Sequence, residues 1–473
     1  MRSASSTLGD HRTGDREHLL LAARQRRALL AEPLESFVSD IHAREHRIKA
    51  RIAANAGGEI VAFEIDDLTG IGPFSMFPRT SGIEGNQVVN LTGGPYQHKH
   101  YRAALKVVFQ NKVPTCQYRG VGHPIACAVT EALVDGVARK LGIDPLQMRE
   151  HNPSAAFYGV GGARIASQDG ATVRLEPSGV VTVLSSVGEQ GQGTEAIYAQ
   201  IAADAVGVEL ERVRVITGDT DTTPYGGGTW ASRGAGIGGE AVLQAGLALR
   251  ENLLKTAAVI LKRDSPAGLQ LRRGTVIDAE SGDALLPLAE LGRIAYFRSD
   301  TLPKDFTPEL MVTRHFAQRD YPFIFTNGVQ VSYVEVDVDT GFVKLLGHWA
   351  VEDCGRVINP MLVDEQIRGA IVQGIGGARF EGCLYDANGA MSNGSMADYL
   401  VPMAAEMPDI VVAHVQTPTK SSALGAKGAG EAGTAGAPAA VMNAINDALA
   451  PFDTRVASQP ITPEKILRAL GKV

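Results

Sequence analysis

Three glycine-rich loops, each followed by a helical pattern, constrain the fold of this chain most strongly. They cover residues 188–193, residues 234–239 and the run of small residues that contains Glu431. A loop that opens a helix presents backbone N–H groups and the positive end of the helix dipole to an anion. Three such loops favour a large phosphate-bearing ligand gripped from several sides. The alternative for each loop is a tight turn with close helix packing.

The first loop also matches the dinucleotide fingerprint loosely. Gly191 and Gly193 follow a predicted strand and precede a helix, as that motif requires. Gln190 and Gln192 add neutral donors. Side chains near the other two loops, those of Ser232, Arg233 and Lys427, could contact phosphate or polar ring edges. A Rossmann-type dehydrogenase therefore remains an alternative, although the wide spread of the glycine loops argues against it.

Two side chains near glycines are candidates for chemistry. Glu431 is the one acid within a Gly/Ala run, and a carboxylate in such apolar surroundings is poorly solvated, which suits a general base. The alternative is an acid that is favoured near a helix N-terminus by the helix dipole. Arg119, between Tyr118 and Gly120, could face a cleft. The alternative is a surface arginine at the corner between a strand and a helix.

Bulk properties exclude several classes of protein. The 473 residues predict two or three domains, and a net charge of −7 argues against nucleic-acid binding. None of the four cysteines belongs to a CxxC pair, which argues against zinc or an iron–sulfur cluster within this chain and favours a reducing compartment. No apolar run reaches the ~20 residues of a membrane span, and no targeting signal is found, so we expect a cytoplasmic protein.

Strand and helix patterns alternate along the chain, which predicts an α/β or α+β fold. Residues 1–32 read as a solvated tail with at most one short helix, residues 158–162 as a linker, and residues 264–325 as less regular. The clearest helical patterns cover residues 124–141, 194–206, 240–261 and 360–380. The clearest strands cover residues 47–54, 59–65, 172–175, 180–187, 213–216, 329–337 and 343–351.

Five motifs, in this order, carry a resemblance to a known family. They are YRGVGHP, GEQGQGTEA, TWASRGAG, DCGRVINP with QIRGAIVQGIGGA, and GAKGAGEAGTAGAP. Together they resemble the molybdopterin-binding large subunit of the xanthine dehydrogenase and aldehyde oxidase family, over residues 33–473. The resemblance implies a mixed α/β (α+β) fold with two molybdopterin-binding domains. The C-terminal portion of the first covers residues 33–162, the second covers residues 163–473, and the N-terminal hammerhead-type domain is absent.

The resemblance also implies roles for individual residues. Glu431 takes the place of the catalytic base, and Tyr118 and Val121 lie where substrate is contacted. Molybdenum is held by the pterin, so no protein metal ligand is expected. The residues implied in cofactor binding are Gly191, Gln192, Gly193, Arg119, Ala231, Ser232, Arg233, Lys427, Gly428, Ala429 and Gly430.

The implied activity is hydroxylation, with water, of an electrophilic carbon in an aldehyde or an N-heteroaromatic compound. The implied cofactor is molybdenum-molybdopterin cytosine dinucleotide, with a [2Fe–2S] cluster and FAD on partner subunits. Carbon monoxide is not the expected substrate, because Gly120 stands where carbon monoxide-oxidising members carry a copper-binding cysteine. The family's N-terminal glycine-rich cofactor loop is not found. Either a separate chain supplies the missing half, or the chain is an inactive fragment or scaffold.

Overall fold

A computed structural model describes residues 32–76, 80–152, 158–160, 168–318 and 324–473. The predicted tail and its helix lie outside the described residues, apart from Glu32. The described helices are α1 (Pro33–Ser39), α2 (Ile83–Leu91), α3 (His123–Leu141), α4 (Pro145–His151), α5 (Thr194–Val206), α6 (Glu240–Ile260), α7 (Leu288–Phe297), α8 (Pro360–Arg379), α9 (Ala432–Ala448) and α10 (Pro463–Ala469).

Strands form four sheets, with the orders β1-β2-β3, β10-β9-β8, β11-β5-β6-β7 and β14-β13-β12-β4. Their bounds are β1 (His46–Ala54), β2 (Ile60–Gly70), β3 (His100–Val108), β4 (Tyr158–Val160), β5 (Gln168–Leu175), β6 (Val181–Ser185), β7 (Val213–Thr217), β8 (Leu269–Arg272), β9 (Thr275–Asp278), β10 (Ala284–Pro287), β11 (Met311–Ala317), β12 (Ile324–Val336), β13 (Val343–Asp353) and β14 (Ile410–His414).

Three of the four sheets are mixed and helices pack on them, which confirms the predicted mixed fold class. Three neighbouring pairs run parallel, β2 with β3, β6 with β7 and β13 with β14, and the other pairs are antiparallel. The strand that precedes the first glycine loop, β6, pairs antiparallel with β5. This arrangement is not the parallel βαβαβ sheet of a Rossmann domain. The alternative of a Rossmann-type dehydrogenase is therefore wrong.

Local sequence explains the first sheet and its helices. The Asn55 side chain accepts the N–H groups of Gly57 and Glu59, both at 3.0 Å, and so closes the predicted turn between β1 and β2. Helix α3 begins with proline in its first turn and ends at Gly142, whose φ of 64° lies in the left-handed region. Glycine adopts that conformation at little cost, and this is why the helix ends there.

Two large apolar cores hold the rest of the chain together. One lies between the β5–β7 sheet and helices α5 and α6, and includes Val183, Val242 and Leu249. The other lies between β13 and helices α8 and α9, and includes Ile371 and Ile445. Helix α9 also packs against α3, which lies on the β1–β3 sheet, and against β12. It therefore lies between the part of the chain that contains the β1–β3 sheet and the part that contains β12.

Two predictions about irregular segments were wrong. Residues 158–160, predicted as linker, form β4 and pair with β12. Residues 264–325, predicted as less regular, contain β8, β9, β10, α7 and β11. For the shortest strands the reason is length: β4 has three residues and β8–β10 have four each, too few for a period-2 pattern to emerge from sequence. Length does not explain why α7, with 10 residues, and β11, with 7, were missed.

Candidate active site

The Glu431 carboxylate is held by two distant parts of the chain. Its Oε1 accepts the backbone N–H of Gly120 at 3.0 Å, across 311 residues of sequence. Its Oε2 accepts the hydroxyl of Ser232 at 2.8 Å, across 199 residues. Glu431 is the N-cap residue of α9, yet its side chain does not cap that helix. Helix capping therefore does not explain this acid, which is 9% exposed.

The side chain of Arg119 runs beside the same loop. Its Nε donates to the carbonyl of Gly430 at 2.6 Å, and Nη1 donates to Oε1 of Gln373 at 3.1 Å. Its Nη2 donates to the carbonyl of Gln366 at 3.3 Å. Burial lowers the pKa of Arg119, and the nearby Glu431 charge opposes this shift. The Arg119 guanidinium is thus held against Gly430, the residue that precedes Glu431 in the sequence.

Tyr118 and Val121 flank Arg119 on the loop before α3. The hydroxyl of Tyr118 accepts a hydrogen bond from Nε2 of Gln373, and the residue is 37% exposed. The N–H of Val121 donates to the carbonyl of Tyr118 at 2.9 Å, so the two belong to one turn. Their predicted contact with substrate stays a prediction.

A buried charge cluster supports this loop from the first sheet. Glu84 accepts the N–H of Gly122 at 3.4 Å, and Arg44, whose Nε lies 3.8 Å from Glu84, donates to the carbonyl of Arg119. Nδ1 of His46 lies 2.9 Å from Oδ2 of Asp67, and its Nε2 lies 3.7 Å from Glu84. Burial disfavours the charged imidazole. The hydrogen bonds to Asp67 and Glu84 outweigh this and raise the pKa of His46 to about 9.

We expect the stabilisation from charged His46 to depend on pH. It is fully present below about pH 6.5, where both folded and unfolded states carry the proton, and it is lost as the pH rises through about 9. Each pKa unit corresponds to about 1.4 kcal/mol, so the rise from 6.5 to about 9 corresponds to a total of roughly 3.5 kcal/mol. Denaturant unfolding between pH 6 and 10 should show this loss in the parent protein and not in His46→Asn. If the free energy of unfolding changes with pH in the same way in the parent protein and in His46→Asn, charged His46 does not stabilise the fold.

The segment between β7 and α6 links two of the predicted loops. Thr229 donates to the carbonyl of Gly188 at 2.5 Å, and Ser232 donates to Glu431. Ala231 and Ser232 have φ values of 51° and 55°, in the left-handed region that residues with a Cβ rarely occupy. Backbone strain of this kind concentrates at functional sites. Here the left-handed conformation of Ala231 and Ser232 places the Ser232 hydroxyl against the carboxylate of Glu431.

The N–H groups of the first glycine loop are bonded to a carboxylate of the loop itself. Glu189 accepts the N–H groups of Gln190, Gly191, Gly193 and Glu195 at 2.8–3.1 Å. Burial acts to raise the pKa of Glu189, but these four N–H donors outweigh it and the pKa is lowered. That this loop binds a pyrophosphate stays a prediction.

Gln192 is likewise engaged within its loop. Its Nε2 donates to the carbonyl of Gly188 at 3.1 Å and to Thr194 at 2.6 Å, while its Oε1 accepts the N–H of Gln190 at 2.6 Å. Gly191 has a φ of 93° and no atom within 4 Å of the position of a Cβ. The predicted contact of Gly191, Gln192 and Gly193 with a cofactor is untested.

The second glycine loop is a packing element. Residues Gly234–Gly239 form a π-helical turn that leads into α6. A Cβ on Gly238 would lie 2.0 Å from the hydroxyl of Tyr198, which itself donates to the carbonyl of Gly234 at 2.8 Å. A Cβ on Gly239 would lie 3.0 Å from both Ile201 and Leu424. For this loop the alternative of close packing is the one that the structure supports.

Arg233 lies inside the protein rather than at a ligand surface. Its Nε pairs with Oδ2 of Asp169 at 2.8 Å, its Nη2 donates to the carbonyl of Gln168 at 2.8 Å, and its guanidinium lies 4.8 Å from the ring centre of Trp230. Both charged side chains are 0% exposed. This geometry favours a structural role over the predicted contact with a cofactor.

Lys427 is also committed to a partner. Its Nζ lies 2.9 Å from Oδ2 of Asp353, and its backbone N–H donates to the carbonyl of Cys354 at 2.7 Å. These contacts fix the strand-like start of the segment that continues through Gly428, Ala429 and Gly430 to Glu431. The Lys427 side chain therefore anchors the loop, and any contact with a ligand from this segment is left to its backbone.

Comparison with known proteins identifies the family. A family model described as "Molybdopterin cofactor-binding domain" matches residues 151–408, and a second model with the same description matches residues 21–153. The chain belongs to the molybdopterin cofactor-binding family. The match to residues 21–153 begins within the segment predicted as a tail. The predicted domain boundary at residue 162 stays a prediction and lies among residues that the structure does not describe.

Individual relatives share the sequence and the fold. The chain is 32% identical to the nicotine 6-hydroxylase large subunit of Paenarthrobacter nicotinovorans, over 92% of this chain and 61% of the relative. It is 26% identical to a putative xanthine dehydrogenase molybdenum-binding subunit of Escherichia coli K12, over 89% and 61%. Quinoline 2-oxidoreductase from Pseudomonas putida 86 superposes with a TM-score of 0.86 at 31% identity, over 94% of this chain and 64% of that one. The chain thus spans less than two thirds of these relatives.

Several residues around the site of this molybdopterin-family chain were not predicted. Gln373 holds Arg119 with its side chain and Gln366 holds it with its backbone carbonyl, and a backbone contact of this kind leaves no pattern in the sequence. Gln330 donates to the carbonyl of Gly433 at 3.0 Å and to Glu352 at 3.3 Å, beneath the first turn of α9. Burial raises the pKa of Glu352 to about 8. No sequence pattern pointed to Glu189 or to Gln330.

The composition of the described residues also bears on the kind of site. Among them, no group of three or more histidine, cysteine or acidic side chains is arranged to hold a metal ion. None of the helices in the described ranges is long and apolar enough to cross a bilayer.

Proposed function

We propose that this chain is the catalytic, molybdopterin-binding part of a molybdenum hydroxylase. The observation that carries the proposal is the position of Glu431. Its carboxylate meets Ser232 and Gly120, which belong to two other motifs of the same family, and Arg119 packs along its loop. Three motifs that lie far apart in sequence thus converge on one buried acid at a helix N-terminus.

The polar groups around Glu431 are compatible with a cofactor that brings its own metal ligands. The site offers a carboxylate, a cation and several hydrogen-bonding groups, without a His/Cys cluster. The groups that would contact the cofactor are the backbone from Lys427 to Gly430, with Ala231, Ser232, Gln192, Arg119 and the first glycine loop at Gly191 and Gly193. When bound, the molybdenum centre supplies two-electron redox chemistry, which the side chains of the protein lack.

The residues of the chain supply orientation and proton transfer. Glu431 accepts, at a carboxylate oxygen, the proton that the attacking oxygen must lose. Gly120 and Ser232 each donate to one of its oxygens, so the carboxylate is held in one orientation. Arg119 places a fixed positive charge near the developing negative charge, and such charges are most effective where water is excluded.

The substrate class we propose is an aldehyde or an N-heteroaromatic compound, whose electrophilic carbon lies beside a heteroatom. The names of two relatives, for nicotine and for quinoline, favour the N-heteroaromatic class. Gly120 supports the exclusion of carbon monoxide. Its φ of 85° favours glycine, and its N–H is bonded to Glu431, so a copper-binding cysteine has no counterpart here.

The finer assignments extend the family resemblance. We infer that the cofactor is the cytosine dinucleotide form, that a [2Fe–2S] subunit and an FAD subunit carry electrons away, and that the complex is cytoplasmic. An inactive remnant that holds no cofactor is the competing function.

Metal analysis of the complex tests the proposal. The tagged chain should be purified from its native host, with its partners, and assayed for molybdenum, for the nucleotide released on hydrolysis and for oxidation of quinoline with a dye acceptor. We expect close to one molybdenum per chain, together with cytidine monophosphate. A complex that is isolated intact and contains no molybdenum would identify the chain as a remnant.

A further inference from the structure

The side chain of Arg44 extends from the start of the β1–β3 sheet to the loop before α3. Arg44 precedes β1, and its φ of 72° lies in the left-handed region that a residue with a Cβ rarely occupies. Its side chain is 15% exposed, and the guanidinium lies 5.1 Å from the ring centre of Tyr118. A strained conformation of this kind persists only where the surrounding structure holds it, which makes Arg44 a candidate for a role in the site.

The hydrogen bond of Arg44 is directed at the loop. Its Nη2 donates to the carbonyl of Arg119. Its Nε lies 3.8 Å from Oε1 of Glu84, beyond hydrogen-bond distance, and has no hydrogen-bond acceptor among the described residues. A Cβ on Gly377 of α8 would lie 3.8 Å from Nη1. The guanidinium therefore fills the space between α8 and the loop, with a donor pointing at the loop backbone.

The carbonyl that accepts from Arg44 and the N–H that donates to Glu431 belong to one peptide unit, the one between Arg119 and Gly120. A trans peptide is planar, and its carbonyl and N–H point in opposite directions. Arg44 and Glu431 therefore lie on opposite sides of this unit and are joined through it. Hydrogen bonds in series polarise one another, and a charged donor makes a stronger bond than a neutral one. The N–H of Gly120 is thus a stronger donor to the carboxylate.

This peptide plane needs a second contact to stay in place. It precedes Gly120, whose φ of 85° is readily adopted by glycine, and a plane next to glycine rotates easily because no side chain restricts it. A rotation that broke the bond to Glu431 would also break the bond to Arg44, because both groups turn with the plane. The carbonyl of Gly430 fixes the side chain of Arg119, whereas Arg44 fixes its backbone.

The charge of Arg44 is balanced by the cluster behind it. Glu84 on α2 lies 3.8 Å from Arg44 and 3.7 Å from His46, and His46 lies 2.9 Å from Asp67. Two cations thus face two carboxylates, since the raised pKa of His46, about 9, keeps it protonated at neutral pH. Glu84 also accepts the N–H of Gly122 at 3.4 Å. The cluster holds the guanidinium in place and leaves Nη2 to the loop.

We propose that Arg44 is a positioning residue for Glu431, which it orients through the peptide unit between Arg119 and Gly120. The proposal rests on the proposed function, because it concerns the base of that reaction. Ser232 holds the other carboxylate oxygen through a hydroxyl that can rotate, whereas the N–H of a fixed peptide has one direction. Loss of Arg44 should therefore misplace the base while leaving it in the chain.

Steady-state kinetics of Arg44→Met in the native complex, with quinoline and a dye acceptor, tests the proposal. Methionine keeps the packing against the ring of Tyr118 and removes the donor. We expect kcat to fall on the order of 10-fold to 100-fold with KM nearly unchanged, because a small misplacement of a catalytic group costs rate. Arg44→Lys should recover part of the loss, since an ammonium can still donate to the carbonyl of Arg119. Unchanged kcat, a loss carried by KM alone, or no recovery with lysine would overturn the proposal.

Arg149 offers a matched control for a merely structural role. This arginine on α4 is 27% exposed, and its Nη2 lies 2.7 Å from Oε2 of Glu131 and 2.6 Å from Oδ1 of Asp135, both on α3. Arg149→Met should lower the free energy of unfolding and leave kcat unchanged. If Arg44→Met and Arg149→Met lose kcat equally, Arg44 acts only through stability and the proposal is wrong.

Hydrogen exchange provides a measurement that needs no turnover. Exchange of the Gly120 amide, read by mass spectrometry with fragmentation to single residues, should be about tenfold faster in Arg44→Met than in the parent complex and unchanged in Arg149→Met. Molybdenum content is measured on the same complexes. Faster exchange in a complex without molybdenum supports the positioning role and overturns only the proposed function. Unchanged exchange in Arg44→Met overturns the positioning role, whatever the molybdenum content.

Discussion

Replacing Glu431 with glutamine is expected to abolish turnover while the molybdopterin cofactor stays bound. The amide oxygen can still accept the N–H of Gly120, and the hydroxyl of Ser232 can rotate to accept from the amide nitrogen. The loop should therefore keep its shape. What the variant loses is the group that accepts a proton, which typically contributes 10²–10⁴-fold to rate.

The measurement for Glu431→Gln is kcat, together with molybdenum content per chain. Glu211→Gln, at an exposed acid outside the site, is the matched control and should retain full activity. Ser232→Ala should fall between the two, because it removes one of the two hydrogen bonds that orient the carboxylate and leaves the base in place. Activity of Glu431→Gln near that of the parent protein would rule out Glu431 as the base.

Replacing Arg233 with methionine should destabilise the chain more than any surface substitution. Asp169 would then be left buried without its cation, with only Gly227 at 2.9 Å and Ser186 at 3.3 Å as donors. Burial already acts to raise the pKa of Asp169, and Arg233 is the main group opposing it. Loss of one partner from a fully buried pair typically costs about 3–5 kcal/mol.

Denaturant unfolding of Arg233→Met measures this loss, and the chain contains a matched control. Arg293 and Glu290 on α7 form a pair with the same Nε-to-carboxylate geometry at 2.7 Å, but their side chains are 51% and 42% exposed. Arg293→Met should therefore change the free energy of unfolding far less than Arg233→Met does. If the two variants lose the same free energy of unfolding, burial does not govern the strength of the Arg233 pair. If Arg233→Met keeps its stability but loses the cofactor, the predicted role of Arg233 in cofactor binding is supported instead.

The regular elements of this fold could be predicted from local pattern. Helix α5 agrees with its prediction at both ends, and α3, α6 and α8 each agree to within one residue at either end, because an apolar stripe and a glycine or proline at the boundary are local signals. The short strands β4 and β8–β10 could not be predicted, because their few residues carry no period and pairing with distant strands defines them.

The sequence named candidate site residues, and the structure supplied their contacts. The Gly/Ala run singled out Glu431, the fold places Gly120 and Ser232 against its two oxygens, and its role as a base stays a prediction. The glycine loops were correctly placed at the start of helices, yet the first is filled by Glu189 and the second is packed against Tyr198. A glycine pattern shows that backbone can approach something closely, and it does not show what is approached.

The sequence by itself determined the mixed fold class, the five longest described helices and the family resemblance, and it singled out Glu431 as a candidate. Only the tertiary structure decided which polar groups satisfy one another: Glu431 with Gly120 and Ser232, Arg119 with Gln373, and Arg233 with Asp169. The physical reason is the separation in sequence over which each kind of interaction acts. Backbone conformation follows from neighbours a few residues away, whereas a buried donor is satisfied by whichever acceptor the fold brings to it, here across as many as 311 residues.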